Sequence, residues 1–138
     1  MATDLSLLTD LKKGDYEASI ISTFNTYLPF YERVVLQKLL AIGCRHNVLM
    51  VDAQQLAAGS GDPSRQPRLA GSEYTLAPIS ISGAFHPKLV LLVGPKAGGL
   101  FLGSHNVTLA GYSNNRELTN RVLVTKPFER GAVSQLAA

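Results

Sequence analysis

Between Glu17 and Val51 the sequence reads as strand, helix, strand, and that order constrains the fold more than any other feature of the chain. Glu17 to Asn25 carries Ala18, Ile20, Ile21 and Phe24 in a β-branched and aromatic run, which predicts a strand. Thr26-Tyr27-Leu28-Pro29 breaks it, and Pro29 suits the first turn of a helix, where its missing N–H costs nothing. Tyr31, Val35, Leu39 and Ile42 then recur at helical spacing, with Glu32, Arg33, Gln37 and Lys38 on the other side. Gly43 is a helix stop, and Asn47 to Val51 is a second short strand, apolar enough to be buried. Such a βαβ unit favours a parallel pair of strands with a right-handed crossover, so the expected class is α/β.

The 138 residues are read as a single domain, residues 1–138, long enough to enclose a core. A 46% hydrophobic and 17% charged composition excludes a disordered chain. Ala58 to Ser72 holds three glycines and two prolines and predicts a surface loop over 58–72. Its Arg65 and Arg68 suit either a phosphate backbone or plain solvation. Beyond it the chain turns β-rich, with predicted strands Tyr74 to Ser82, Phe85 to Val93, one starting over Leu100 to Gly103 after a turn at Gly94 to Gly99, and Arg116 to Val124. A short helix or turn is expected from Val107 through Tyr112, and 127–138 is a tail.

A net charge of +3 fits a polyanionic partner and an ordinary solvated surface equally well. The lone Cys44 cannot form an internal disulfide and reads as a small buried apolar residue. The three histidines are too scattered for a metal site, so no metal is expected. Asp4 and Asp10 lie where a secretory signal would be basic, and no apolar stretch reaches membrane-span length. The expectation is a soluble, cytoplasmic protein that does not engage membranes.

The chemistry concentrates between Phe85 and Glu117. His86 and Lys88 stand at i and i+2, which on a strand is one face, at the head of the apolar run Leu89 to Val93. Taken alone, His-x-Lys also fits a solvated strand end. Gly103-Ser104-His105-Asn106 offers a hydroxyl and an amide, again at i and i+2. If the two strands pair, an imidazole, an ammonium, a hydroxyl and an amide converge. Lysine and the asparagine amide suit the nonbridging oxygens of a phosphodiester, and a neutral histidine can attack phosphorus. A carboxylate on the other imidazole nitrogen would fix the tautomer, and Glu117 is the candidate. His105 faces the other way, and His46 reads as a partner for the preceding helix C-terminus.

His86-x-Lys88 followed by Gly103-Ser104-x-Asn106 resembles the phospholipase D superfamily signature, and Glu117 falls where nucleases of that superfamily tend to carry a supporting acid. The likeness spans roughly Ala18 to Val124 and implies a phospholipase D-like mixed sheet flanked by helices. The sequence departs at Val93, where the signature has aspartate, as do some nucleases of the superfamily. The resemblance implies a metal-independent phosphodiesterase, foremost a nuclease acting through a covalent phosphohistidine. His86, Lys88, Asn106 and Glu117 would be catalytic, and Lys88, Ser104 and Asn106 would bind phosphate, with no cofactor. The expected partner is nucleic acid, DNA foremost.

Superfamily sites use two His-x-Lys elements, and this chain has one. The second must come from a homodimer, which places the same residue on both sides of a twofold axis, or from a further C-terminal region. The alternative class is a non-catalytic phosphate- or nucleic-acid-binding or dimerisation module of a larger restriction-type protein. A third is a structural α/β fragment whose His86 and Lys88 are merely solvated.

Overall fold

The structure, a computed structural model, describes residues 11–103 and the backbone of 119–125. Six strands form one sheet: β1 (Ala18–Thr23), β2 (His46–Asp52), β3 (Thr75–Ile79), β4 (Leu89–Val93), β5 (Ala97–Gly103) and β6 (Thr119–Thr125). Their order across the sheet is β3-β2-β1-β4-β5-β6. β1 pairs in parallel with β2, and β2 with β3, as expected for strands joined through crossovers. β4, β5 and β6 are antiparallel, so the mixed α/β sheet changes character at β1.

Helix α1 (28–41) connects β1 to β2 and runs as Leu28–Phe30, a π-helical stretch Tyr31–Val35, and Leu36–Ala41. Pro29 lies in its first turn, as its fixed φ predicts. At the other end Gly43 adopts φ +94, the Gly43 N–H donates to the Leu40 carbonyl and the Cys44 N–H to that of Leu39. That pair of bonds is a Schellman cap, and only the left-handed glycine makes it without strain. Tyr31, Val35, Leu36 and Leu39 of α1 join Ile21, Leu49, Val51, Leu92 and Phe101 of the sheet in one buried core.

Several elements differ from the sequence reading, and β1 and β3 are shorter than expected. Ala53–Ala58 is a helix, α2, capped by Asp52, so β2 and β3 are also joined through a helical crossover. β5 begins at Ala97 rather than Leu100, and β6 spans Thr119–Thr125 rather than starting at Arg116. β4 begins only at Leu89, because Pro87 has no N–H to give a ladder. The tight turn into β5 needs Gly94, where a Cβ would overlap the Asp15 carbonyl. Among the described residues no helix is long and apolar enough to cross a membrane.

The register fixes which chain ends meet. Ser22 lies opposite both Met50 and Leu89, Asp52 opposite Ile79, and Gly103 opposite Thr119. The C-terminal ends of β1, β2, β3 and β5 therefore share one edge with the N-terminal ends of β4 and β6. In open α/β sheets, ligands bind beyond the carboxyl ends of the strands where the strand order switches. Here that place is the end of β1.

Candidate active site

His86 and Lys88 lie at this edge, in the extended segment that enters β4 rather than on the strand itself. The two side chains therefore do not share a strand face but meet in direct contact: Lys88 Nζ stands 2.7 Å from His86 Nδ1 and 3.4 Å from the His86 carbonyl. Side chains take over where Pro87 interrupts the ladder. Ser22 Oγ donates to the Pro87 carbonyl at 2.8 Å and accepts the Leu89 N–H at 3.2 Å. The Gly103 N–H donates to the Lys88 carbonyl at 3.2 Å, which extends the β4–β5 pairing to the end of β5.

His86 is exposed, and its ring stacks on Phe24 with centroids 4.5 Å apart and planes 25° apart. Phe24 directly follows β1, so the strand at the centre of the sheet supplies the floor under the imidazole. Asp52, at the end of β2, holds the segment from the other side. Its Oδ2 accepts the Phe85 N–H at 2.7 Å, and its Oδ1 accepts the N–H groups of Gln54 and Gln55 at 3.0 Å each. These bonds, with that from Phe85 foremost and positive charge on His86 a lesser aid, hold the Asp52 carboxyl below the usual aspartate range. Asp52 is 3% exposed, so it shapes the site from beneath. The sequence reading missed it. The signal that would have found it is an aspartate followed by the helix-forming run Ala53-Gln54-Gln55-Leu56, a helix N-cap.

The 2.7 Å contact has a chemical consequence. An ammonium has donors only, so Lys88 engages the Nδ1 lone pair and a neutral imidazole must carry its proton on Nε2. In that tautomer Nε2 can donate a proton and cannot attack. An anion that drew Lys88 away would release Nδ1 and allow the proton to sit there, leaving Nε2 nucleophilic.

Ser104, Asn106 and Glu117 lie outside the described residues, as does His105. The chain leaves β5 at Gly103 and enters β6 at Thr119 along the same edge as His86. Val93, at the signature aspartate position, ends β4 at the opposite edge, paired with Ala18 and Gly98. It lies five positions beyond Lys88 along the strand, roughly 16 Å. A carboxylate there would not reach a group held by His86.

The loop after α2 is more structured than its composition suggested. Asp62 caps the 3-10 turn Pro63–Arg65 through the Ser64 N–H, and the Glu32 carboxylate accepts the N–H groups of Arg68 and Leu69 and the Tyr74 hydroxyl. Arg65 Nη2 donates to the Thr26 carbonyl at 3.4 Å, whereas Arg68 is exposed. His46 opens β2 and is exposed, five residues beyond the end of α1.

No protein-family model matches the sequence. A search of curated proteins gives no match either. Solved structures do match in fold. The phospholipase D family member Nuc from Salmonella typhimurium superposes with a TM-score of 0.60 at 19% identity, over 97% of this chain and 80% of that one. NucT from Helicobacter pylori superposes with a TM-score of 0.53 at 14% identity, again over 97% and 80%. The chain therefore has the mixed α/β fold of these phospholipase D-like structures.

Proposed function

We propose that this chain is a phosphodiesterase of the nuclease type, with His86 as the group that attacks phosphorus. The observation that carries the proposal is the His86–Lys88 pair, 2.7 Å apart at the switch-point edge of a phospholipase D-like fold. A nonbridging phosphate oxygen competes with Nδ1 for the Lys88 ammonium. Once Lys88 turns to the phosphate, His86 Nδ1 can hold the proton and Nε2 is free to attack. Attack forms a P–N bond and expels the leaving oxygen, which takes a proton from a second imidazole. That imidazole then removes a proton from water, which displaces His86 and completes hydrolysis.

In this reading the second imidazole is His86 of another copy, related by a twofold axis. Asn106 and Ser104 add donors to the phosphate, and Glu117 accepts a hydrogen bond from the Nδ1 N–H, which fixes that tautomer. The reaction is metal-independent, and the substrate is nucleic acid, DNA foremost. The test is cleavage of labelled DNA by the purified chain in excess EDTA, beside His86→Ala. The expected result is cleavage that persists in EDTA and falls at least a hundredfold in the variant, the usual scale for losing a general acid–base or nucleophilic group. Equal cleavage by both chains, or none by either, would overturn it.

A further inference from the structure

The segments that follow β1 and β2 enclose a pocket at the C-terminal edge of the sheet. A pocket of about 200 Å³ opens between the end of β1 and the loop after α2, with Leu28, Leu56 and Pro67 as apolar walls and Gln55, Ser60 and Arg65 as polar ones. Two short chain paths link its lining to the residues around His86. Phe24, under the imidazole, is two residues from Thr26, whose carbonyl holds Arg65. Asp52, which holds Phe85, is three residues from Gln55.

We propose that this pocket takes one unpaired nucleobase of a single-stranded polynucleotide whose neighbouring phosphodiester lies at His86 and Lys88. The inference rests on the reading of that site given above. The pocket is small for a drug-sized ligand, for which roughly 300 Å³ is a lower bound, and has room for a single ring system. Its mixed lining suits a base, which presents apolar faces and a hydrogen-bonding edge. Apolar walls on a hydrated phosphate would cost solvation without return. A base in a duplex is stacked and paired and would have to be extruded to enter, so single strands are preferred. Tyr27, between the lining residues Thr26 and Leu28, is 40% exposed and supplies an aromatic surface at the same edge.

Arg65 is held ready for this. Thr26 takes one of its five N–H donors, and Gly59 stands next to the guanidinium. A Cβ on Gly59 would stand 3.1 Å from Arg65 Nε and 3.2 Å from Cζ, tighter than ordinary contact. Gly59 has φ −94, so alanine is free of backbone strain there and would act by displacing the guanidinium.

The test is fluorescence anisotropy in EDTA on the His86→Ala chain, which separates binding from cleavage. The probes are a labelled 12-nucleotide oligothymidylate, the same strand with an abasic residue placed at each position in turn, and the corresponding duplex. The expected result is weaker duplex binding and one position where base removal weakens binding about tenfold, within the range measured for stacked bases. Adding Arg65→Ala, or Gly59→Ala should the first variant fold poorly, is expected to erase that difference. If Arg65→Ala weakens intact and abasic strands by the same factor, Arg65 holds phosphate and the proposal fails. Equal affinity for duplex overturns it too. Should the chain bind no strand yet cleave bis(p-nitrophenyl) phosphate in a His86-dependent manner, the base subsite is wrong and the active-site reading stands. If neither activity is found, both fall.

Discussion

Asp52 carries three backbone N–H groups on one carboxylate, two from its own helix and one from Phe85, which lies 33 residues away. The lowered carboxyl pKa means the folded state binds the ionised form better than the unfolded state does. Its stabilisation is full above the unfolded value of about 3.9 and is lost as pH falls through the lower folded value. Asp52→Asn keeps an acceptor for the helix but puts an NH₂ where Phe85 needs an acceptor. The expected outcome is a variant less stable than wild type above about pH 4, with the gap closing in more acid solution, read from urea unfolding at a series of pH values. Since Phe85 precedes His86, the proposed nuclease activity should fall along with stability; unchanged activity would show that the tether does not position the imidazole. Cys44 behaves oppositely. Burial, only partly offset by Ser19, pushes its thiol up to about 11, so a disulfide reagent at pH 8 should label it on unfolding and scarcely before. His86 and Lys88 were legible in the sequence because their spacing is short, whereas the role of Asp52 depends on a contact that sequence does not display.

At the scale of elements, periodicity located β1, α1 and β2 because each buries one face against a single core. The extent of β4 was misjudged because Phe85 to Lys88 were read as continuing the apolar run Leu89 to Val93, while Pro87 ends the ladder. Loop composition marked the irregular backbone over 58–72 without showing what holds it. Gly and Pro mark irregular backbone, and that backbone is still pinned by Glu32, which reaches from α1 to the N–H groups of Arg68 and Leu69 and to the Tyr74 hydroxyl. Glu32 was read as part of a polar helix face, yet it is 5% exposed. The π-helical stretch accompanies this placement, with Tyr31, Glu32 and Val35 all buried. Burial first, and then the hydrogen bond and charge of Glu32, drive the Tyr74 hydroxyl to stay protonated. Tyr74→Phe removes the 3.0 Å bond to the carboxylate and should cost about 2 kcal/mol, the usual scale for a hydrogen bond to a charged acceptor. A shift in the urea midpoint at constant m would show this, and a change well under 1 kcal/mol would mean the two remaining N–H donors suffice.

The whole molecule presents one His-x-Lys element on the edge where its sheet switches from parallel to antiparallel, while the proposed reaction needs two imidazoles. A twofold axis past that edge would supply the second, because an isologous contact repeats every residue it uses. This arrangement makes a quantitative prediction that residue-scale mutagenesis cannot. When wild-type and His86→Ala chains are unfolded together in equal amounts and refolded, random pairing gives about one quarter wild-type dimers, one half mixed dimers and one quarter mutant dimers. If both imidazoles serve one phosphodiester, mixed dimers are inactive and activity drops to about one quarter of an all-wild-type sample. If each chain works alone, activity drops to about one half. A single mass measurement on each sample separates the cases further, since a quarter of the activity with monomeric chains is not accounted for by pairing. The two histidines would differ in protonation during turnover although their surroundings are identical. The tautomer held by Lys88 in the free chain gives a reason: whichever copy loses its lysine to the phosphate becomes the nucleophile, and the other gives its Nε2 proton to the leaving oxygen as its Nδ1 takes one from the Lys88 ammonium, a transfer reversed when that Nε2 removes a proton from water.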